Sequence, residues 1–439
     1  MRRGPLLIAC AVVLAGVGVA VTLRPAHNPS VYPGGGAVAP LSTALYCTGL
    51  PGGAQRPGRV SFLNTAASSR SLEIEVVADT GHVASRSVTL AAHTRYALQP
   101  TSLEPGTFDA VLARVAGGGV VAEEVDGPAE APCASAGTTA WAATGFSTAV
   151  GSSAYVSVFN PTATAAVFNV SLFSSAGFSA PQAFQGVSVP AHAEVYLDLA
   201  RVAVNLRGIG VALRVLRGTL VAVGVEDAAG TLSLDPGQSA PSTRADFPVV
   251  TTARGASAVL EVADPGPTPA VVRVHVVLGS YRIADQFVNV APYSTGALVL
   301  NPNPAIAAAG YAAVSVRSNV PVVADLATGA AGAGSALSAP SAPTTSAVVG
   351  GFSTSGYDAL RVVNPGRRAI TLSVLALGST GAPTRLHLAG HALADLATAA
   401  PGARAGAPYL LSSRRPFVLG LTAPSRPAGV VVLAPLDGR

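Results

Sequence analysis

The sequence predicts an all-β protein: an N-terminal transmembrane helix followed by four tandem immunoglobulin-like β-sandwich units. Three observations carry that expectation. A charge-free apolar run lies near the N-terminus, a strand-and-turn pattern recurs about every hundred residues, and the composition is rich in turn formers. The 439 residues include 47 Gly and 34 Pro; 49% are hydrophobic and only 11% are charged. With aromatics at 5%, any core must be built largely from Val, Leu and Ala. That balance suits many short strands joined by turns better than long helices.

Residues 4–23 read GPLLIACAVVLAGVGVAVTL. This stretch is long enough to cross a hydrocarbon core of about 30 Å. Arg2 and Arg3 precede it and Arg24 alone follows it, so the positive-inside rule keeps the tip in the cytoplasm and places the bulk of the chain outside. Residues 1–24 are therefore expected to be a cytoplasmic tip and membrane helix; the alternative is a cleaved signal peptide, which changes the anchoring but not the compartment. Leu7-Ile8-Ala9-Cys10 resembles a lipobox, but the apolar run continues past it, and Cys10 reads as a small apolar residue of the helix. Residues 25–40 form a Pro/Gly-rich tether.

The repeats follow, with expected bounds 41–135, 136–240, 241–340 and 341–439, the third including a Gly/Ala linker over 329–334. The first landmark is a strand ending in Asn64, Asn160, Asp264 or Asn364. Two and four residues before it the chain is apolar. Three before it stand Ser61, Ser157, Glu261 and Arg361, which predicts a strand with one buried and one wet face. The Asn or Asp can bind the backbone just beyond, and the Pro that follows in three repeats stops the strand. About thirty residues on comes a strand, a tight bend and a second strand; the bends hold His93, His192, Tyr293 and His391. A third landmark reads as a closing hairpin, with breaks at Gly117-Gly118-Gly119, Arg217-Gly218, Arg317-Ser318-Asn319 and Arg414-Arg415. Two repeats share a Gly-Phe-Ser-Thr segment, at 145–148 and 351–354, where a strand is expected to begin.

Charge narrows the function. The net charge is +5 with no lysine, and three of the 27 arginines flank the apolar segment, which leaves a nearly neutral body. A nucleic-acid partner has little electrostatic support. Cys47 and Cys133 are an even pair in a chain expected to be exported, which favours a disulfide bond worth about 4–5 kcal/mol by loop entropy. Free thiols or a metal site are the alternatives, the latter without a CxxC or a nearby His pair. No GxSxG elbow, HExxH, Walker A loop or dinucleotide fingerprint is present. His93, His192 and His391 are expected to be turn residues rather than ligands. Glu123, Glu124 and Asp126 read as a solvated edge that deters strand pairing, with Ca²⁺ as the other option. Trp141, Tyr155 and Tyr357 read as packing residues, with a sugar platform as the other option.

The layout resembles a family of actinobacterial exported proteins of unknown function that carry a membrane helix and tandem β-sandwich repeats. The resemblance rests on Tyr46-Cys47-Thr48-Gly49, on Ala131-Pro132-Cys133-Ala134 followed by Trp141, on the Asn-Pro strand ends and on the Pro-Ala-His bend at 190–192. Thr48 departs from the Pro expected there. The resemblance implies a cell-envelope setting linked to surface glycan or cell-wall assembly, and no catalytic residues. The expected function is accordingly a non-catalytic protein of the cell envelope, anchored through residues 4–23 and needing no cofactor or metal. It would present its domains to an envelope protein partner; the alternative is binding to glycan or peptidoglycan.

Overall fold

The computed structural model describes residues 42–51, 58–126, 129–228, 230–252, 256–279, 281–330, 335–341, 343–349, 359–379, 381–396 and 408–422. The expected membrane segment and tether, the second Gly-Phe-Ser-Thr copy and Tyr357 lie outside them, as do 331–334 of the Gly/Ala run. Among the described residues no helix is long and apolar enough to cross a membrane.

The first repeat sets the pattern. Its strands are β1 (Ser42–Pro51), β2 (Arg59–Asn64), β3 (Arg70–Ala78), β4 (Val83–Leu90), β5 (Arg95–Leu98), β6 (Phe108–Ala116), β7 (Val120–Asp126) and β8 (Ala129–Pro132). They form two antiparallel sheets, ordered β1-β6-β3-β4 and β5-β2-β7-β8. Alternate residues of both sheets meet in one core that includes Cys47, Phe62, Leu72, Ile74, Val111 and Ala122. The same pairing recurs three times. In the second repeat Ala140–Phe146 takes the β1 place and Ser152–Phe159 the β2 place. In the third these are Ser242–Thr251 and Ala256–Asp264, and in the fourth Thr344–Val349 and Ala359–Val363. The chain is thus all-β in paired sheets. In an immunoglobulin domain the F and G strands lie side by side, whereas here β6 and β7 separate into opposite sheets.

That separation corrects the third landmark. The expected closing hairpin is a crossover. In the third repeat one strand, Tyr311–Ala330, runs through Arg317-Ser318-Asn319 and pairs first with Ala270–Leu278, then with Ala256–Asp264. Tyr409–Thr422 does the same in the fourth. The break residues mark where the chain changes partner, not where it turns back. Gly329, expected in a linker, is paired with Ser257 inside this strand. The first Gly-Phe-Ser-Thr copy is corrected too: Gly145 and Phe146 end a strand rather than begin one.

The first two landmarks prove to be one device. Asn64 is fully buried, and its amide nitrogen donates to the carbonyls of Ser68, Leu90 and Ala91 at 2.8–3.0 Å, while its oxygen accepts from the Ala66 amide at 2.9 Å. Asn160 repeats this with Thr164, Val189 and Pro190, and Asn364 with Arg368, Leu388 and Ala389. One carboxamide therefore ties the end of β2 to its own turn and to the end of β4. The bend after β4 then reverses through a left-handed residue: φ is 56° at His93, 51° at His192, 56° at Tyr293 and 58° at His391. The backbone N–H of the last three donates to the carbonyl of Thr162, Gly266 or Gly366 in the facing turn. The recurring histidines thus occupy a position defined by backbone geometry, and Tyr293 fills it as well.

The third repeat departs from the pattern. Asp264 is fully buried; its Oδ1 accepts from the Gly266 amide at 2.8 Å, and its Oδ2 has no hydrogen-bond partner. A carboxylate cannot donate to carbonyls as the amide does. Burial raises its carboxyl above the ordinary range, opposed by the Gly266 and Ala270 amides. An acid raised on folding stabilises most at low pH and loses that contribution as pH climbs past about 4, its unfolded value. Asp264→Asn is therefore expected to stabilise the protein by about 1–2 kcal/mol, with a larger gain in thermal midpoint at pH 8 than at pH 4.5. For the bend, His192→Gly should leave the melting temperature within error or raise it, because glycine adopts positive φ without strain. His192→Val should cost about 1–3 kcal/mol at the same position, read by denaturant titration.

Candidate functional site

The faces expected to be wet are buried. Ser61, Ser157 and Arg361 are 4%, 0% and 9% exposed. The reason is that each repeat covers the next. The residue just before the recurring Asn or Asp lies in an inter-repeat cluster all four times. Phe159 packs on Val77 and Ala110; Ala263 on Ala142 and Phe173; Val363 on Val277 and Ala313; and Leu63 on Val348 with Leu377 and Leu410 beside it. The last contact joins the fourth repeat back to the first, so the contacts run in a closed cycle. In each case the β3–β6 face of one repeat meets the β2–β7 face of its successor.

A bulge in the β1 position plugs each described seam. Pairing slips at Thr48-Gly49 and at Pro248-Val249, and Thr144-Gly145 is skipped in the same way. Gly145 has φ 91°, and a Cβ there would sit 2.9 Å from Leu337 Cδ2 and 3.0 Å from Glu261 Cγ of the next repeat. Only glycine fits that approach. The plugs carry backbone donors, and carboxyl groups meet them. Gly49 N donates to Glu194 Oε1 at 3.1 Å, Ser157 Oγ donates to the same oxygen at 2.6 Å, and the Thr48 amide donates to Glu124. At the next seam Thr144 N donates to Asp325 Oδ2 at 2.6 Å.

These seams hold the acidic groups. Glu123, Glu124 and Asp126 are 2%, 0% and 4% exposed. They sit in β7, a strand paired on both sides, which overturns the expected solvated edge. Burial pushes Glu124 well above the usual carboxyl range, against the pull of the Thr48 amide. Between the second and third repeats burial raises Asp235 to about 7, Glu226 to about 8 and Glu261 to about 7, and drives Asp325 well above its ordinary value. Mutual repulsion adds to this, Asp235 acting on Asp325 and Glu261 on Glu226. Such burial favours the protonated form of each carboxyl.

The disulfide Cys47–Cys133 is formed, with Cα atoms 4.5 Å apart, and it clamps β1 to the chain just past β8. Among the described residues the one grouping of three metal-ligand types is Cys47, Glu124 and Cys133, and the disulfide removes both thiolates from it. Trp141 is 3% exposed and donates from Nε1 to the Pro236 carbonyl at 2.8 Å; Tyr155 packs at 6.0 Å from Phe108. Neither stands on an exposed sugar platform.

A cavity of about 270 Å³ opens at the seam between the third and fourth repeats. Its floor is apolar, with Val277, Val363 and Val418, and its walls carry Arg273, His275, Arg317, Arg367 and His391 with one acid, Asp246. Asp285 orients the basic side: its Oδ1 bonds His275 Nδ1 at 2.7 Å and its Oδ2 bonds Arg273. The His275 hydrogen bond holds the Asp285 carboxyl below its ordinary range, aided by Arg273. Arg244 and Ser315 hold Asp246, each at 2.6 Å. Arg317 and Arg367 have no salt-bridge partner among the described residues. The sequence offered no motif for this cleft, because its residues come from separate strands of two repeats. The pairing of His275 opposite Ser315 becomes visible only with the register.

The buried acids between the second and third repeats make stability depend on pH. Each is raised on folding, so the folded state holds more protons than the unfolded state between about pH 4 and 8, and stability falls as pH rises through that window. The thermal midpoint is expected to drop from pH 6 to pH 9, and Asp325→Asn or Glu226→Gln should flatten the drop when melts are compared across that range.

The comparisons with known proteins complete this description. No curated protein matches the sequence. Among solved structures, the chain is similar to the crystal structure of Thermotoga maritima 1070, at 19% identity and a TM-score of 0.19 over 20% of this chain and 80% of that one. It is similar to a tetra-tandem repeat in the extending region of a large adhesion protein, at 13% identity and TM-score 0.12, over 91% of this chain and 100% of that one. It is also similar to a GH78 family rhamnosidase of Bacillus sp. GL1, at 9% identity and TM-score 0.15, over 91% of this chain and 54% of that one. Likenesses this distant carry no argument here. A family profile, by contrast, matches residues 115–236 and 239–417, more than half of the chain, across all four repeats. The chain belongs to that family, DUF5719, a family of unknown function.

Proposed function

We propose that this protein is a non-catalytic component of the cell envelope, held on the outer side of the membrane through residues 4–23 and serving as a rigid platform for another envelope protein. The observation that carries this reading is the closed cycle of contacts, in which every repeat spends both outer sheet faces on its neighbours. Such a body has little freedom for the lid or hinge motions of many enzymes, and its strand-end loops are what it offers to a partner. The Cys47–Cys133 bond supports a compartment outside the reducing cytoplasm. The repeats keep the two-layer character of immunoglobulin-like modules with a different order of strands. An actinobacterial envelope setting, which the sequence resemblance implied, is part of the same proposal. The second reading, binding of surface glycan, is favoured by one feature, the cationic cleft between the third and fourth repeats.

The test is done in the native host. Intact cells are treated with a membrane-impermeant protease and a thiol-alkylating reagent, and the chain is followed by mass spectrometry. The expected result is a membrane-fraction protein, cleaved from outside, with Cys47 and Cys133 unalkylated before reduction. A soluble cytosolic chain with both thiols alkylated would overturn the reading.

A further inference from the structure

We propose that the cleft between the third and fourth repeats binds one acidic sugar unit, a pyranose bearing a carboxylate or phosphate. Only the choice of a sugar ring leans on the glycan reading above. The cavity of about 270 Å³ lies at the small end of ligand sites, which suits a single ring rather than a chain. Its chemistry has three parts that match the three parts of such a ligand. The Val277, Val363 and Val418 floor accepts the C–H face of a ring. Arg317 and Arg367 supply guanidinium groups with no salt-bridge partner among the described residues, and burial lowers the proton affinity of Arg317. A planar guanidinium outside any salt bridge is the group that pairs a carboxylate or phosphate in two-pronged fashion; Asp246, the acid nearest Arg317, is already held by Arg244 and Ser315. The third part is an acceptor among donors. Nδ1 of His275 is committed to Asp285, and its other ring nitrogen, Nε2, is buried and has no hydrogen bond; in the Nδ1–H tautomer that nitrogen accepts. A ring hydroxyl donates to it.

The corresponding positions of the first repeat show that this is not a property of every seam. Glu73 and Glu75 stand there in place of Arg273 and His275, as the matched strand registers place them. Glu75 is paired with Arg114, and the neighbouring space is filled by Phe108 stacked on Tyr196 at 3.9 Å. At that seam Glu75 is neutralised by Arg114 and two aromatic rings pack together, whereas the third-to-fourth seam holds a cavity walled by three arginines.

The experiment is calorimetric titration of the purified full-length chain with glucuronic acid, glucose 1-phosphate, glucose and inorganic phosphate. The expected result is that at least one acidic sugar binds about tenfold or more tightly than glucose, through the charge-assisted bonds to Arg317 and Arg367, and about tenfold or more tightly than inorganic phosphate, through the ring contacts with the valine floor and His275. Whichever acidic sugar binds better identifies the acid as carboxylate or phosphate. Arg317→Ala combined with Arg367→Ala should weaken that binding about tenfold or more at an unchanged melting temperature. Arg414→Ala, an exposed arginine of the fourth repeat outside the cleft lining, should leave it unchanged. Equal binding of glucose, equal binding of bare phosphate, no binding of either acidic sugar, or wild-type affinity in the double variant would each overturn the proposal. None of these outcomes bears on the membrane location or the disulfide, so failure here is separable from failure of the platform reading.

Discussion

A single carboxamide holds three of the four repeats together. Two protons on the nitrogen of Asn64 serve three carbonyls, and its oxygen takes an amide, so one buried side chain engages four backbone groups of two segments. Such groups cost about 1–3 kcal/mol each when left unsatisfied. The bend after β4, the turn after β2 and the register between them all depend on this residue. The apolar residue just before the Asn or Asp makes the inter-repeat contact in all four places. Local hydrogen bonding and long-range assembly share one position.

The strand content, the hundred-residue period and the pairing of Cys47 with Cys133 were legible because they rest on local signals: alternation, turn formers and an even pair of cysteines. The strand order was not, because a break such as Gly117-Gly118-Gly119 looks alike whether the chain folds back or crosses to the other sheet. The seams were missed for a more instructive reason. Alternation reports that a strand has two faces, and Ser61, Ser157, Glu261 and Arg361 seemed to assign one of them to water. The signal against that was present two residues later on the same face, where Leu63, Phe159, Ala263 and Val363 are all apolar. A face that mixes a polar residue with an apolar one at every repeat is a docking face. What docks on it depends on contacts hundreds of residues apart, as between Leu63 and Val348.

The acids follow from the same geometry. A bulge exposes backbone donors that no ladder satisfies, and a bulge driven into a neighbouring sheet takes those donors away from water. Glu194 and Asp325 supply the acceptors, at the cost of burying carboxyl groups. At the third-to-fourth seam Pro248 stands in the plug, removes one donor outright, and faces Gly420 instead of an acid. There Arg361 lies 3.2 Å from the centre of the Tyr311 ring and pairs with Asp395, so the seam is cationic where the others are acidic. The cleft with its basic walls is the local result of that substitution of chemistry.

Closure also fixes how many repeats the protein can have. A linear array of domains grows or shrinks by whole copies with little penalty, and its two ends must be made polar to stay in water. Here the first and fourth repeats cover one another, so neither is an end. Duplicating or losing one copy would not lengthen or shorten a rod; it would leave two apolar surfaces without mates. Evolution by repeat duplication, easy for string-like surface proteins, is thereby barred once the circuit is complete.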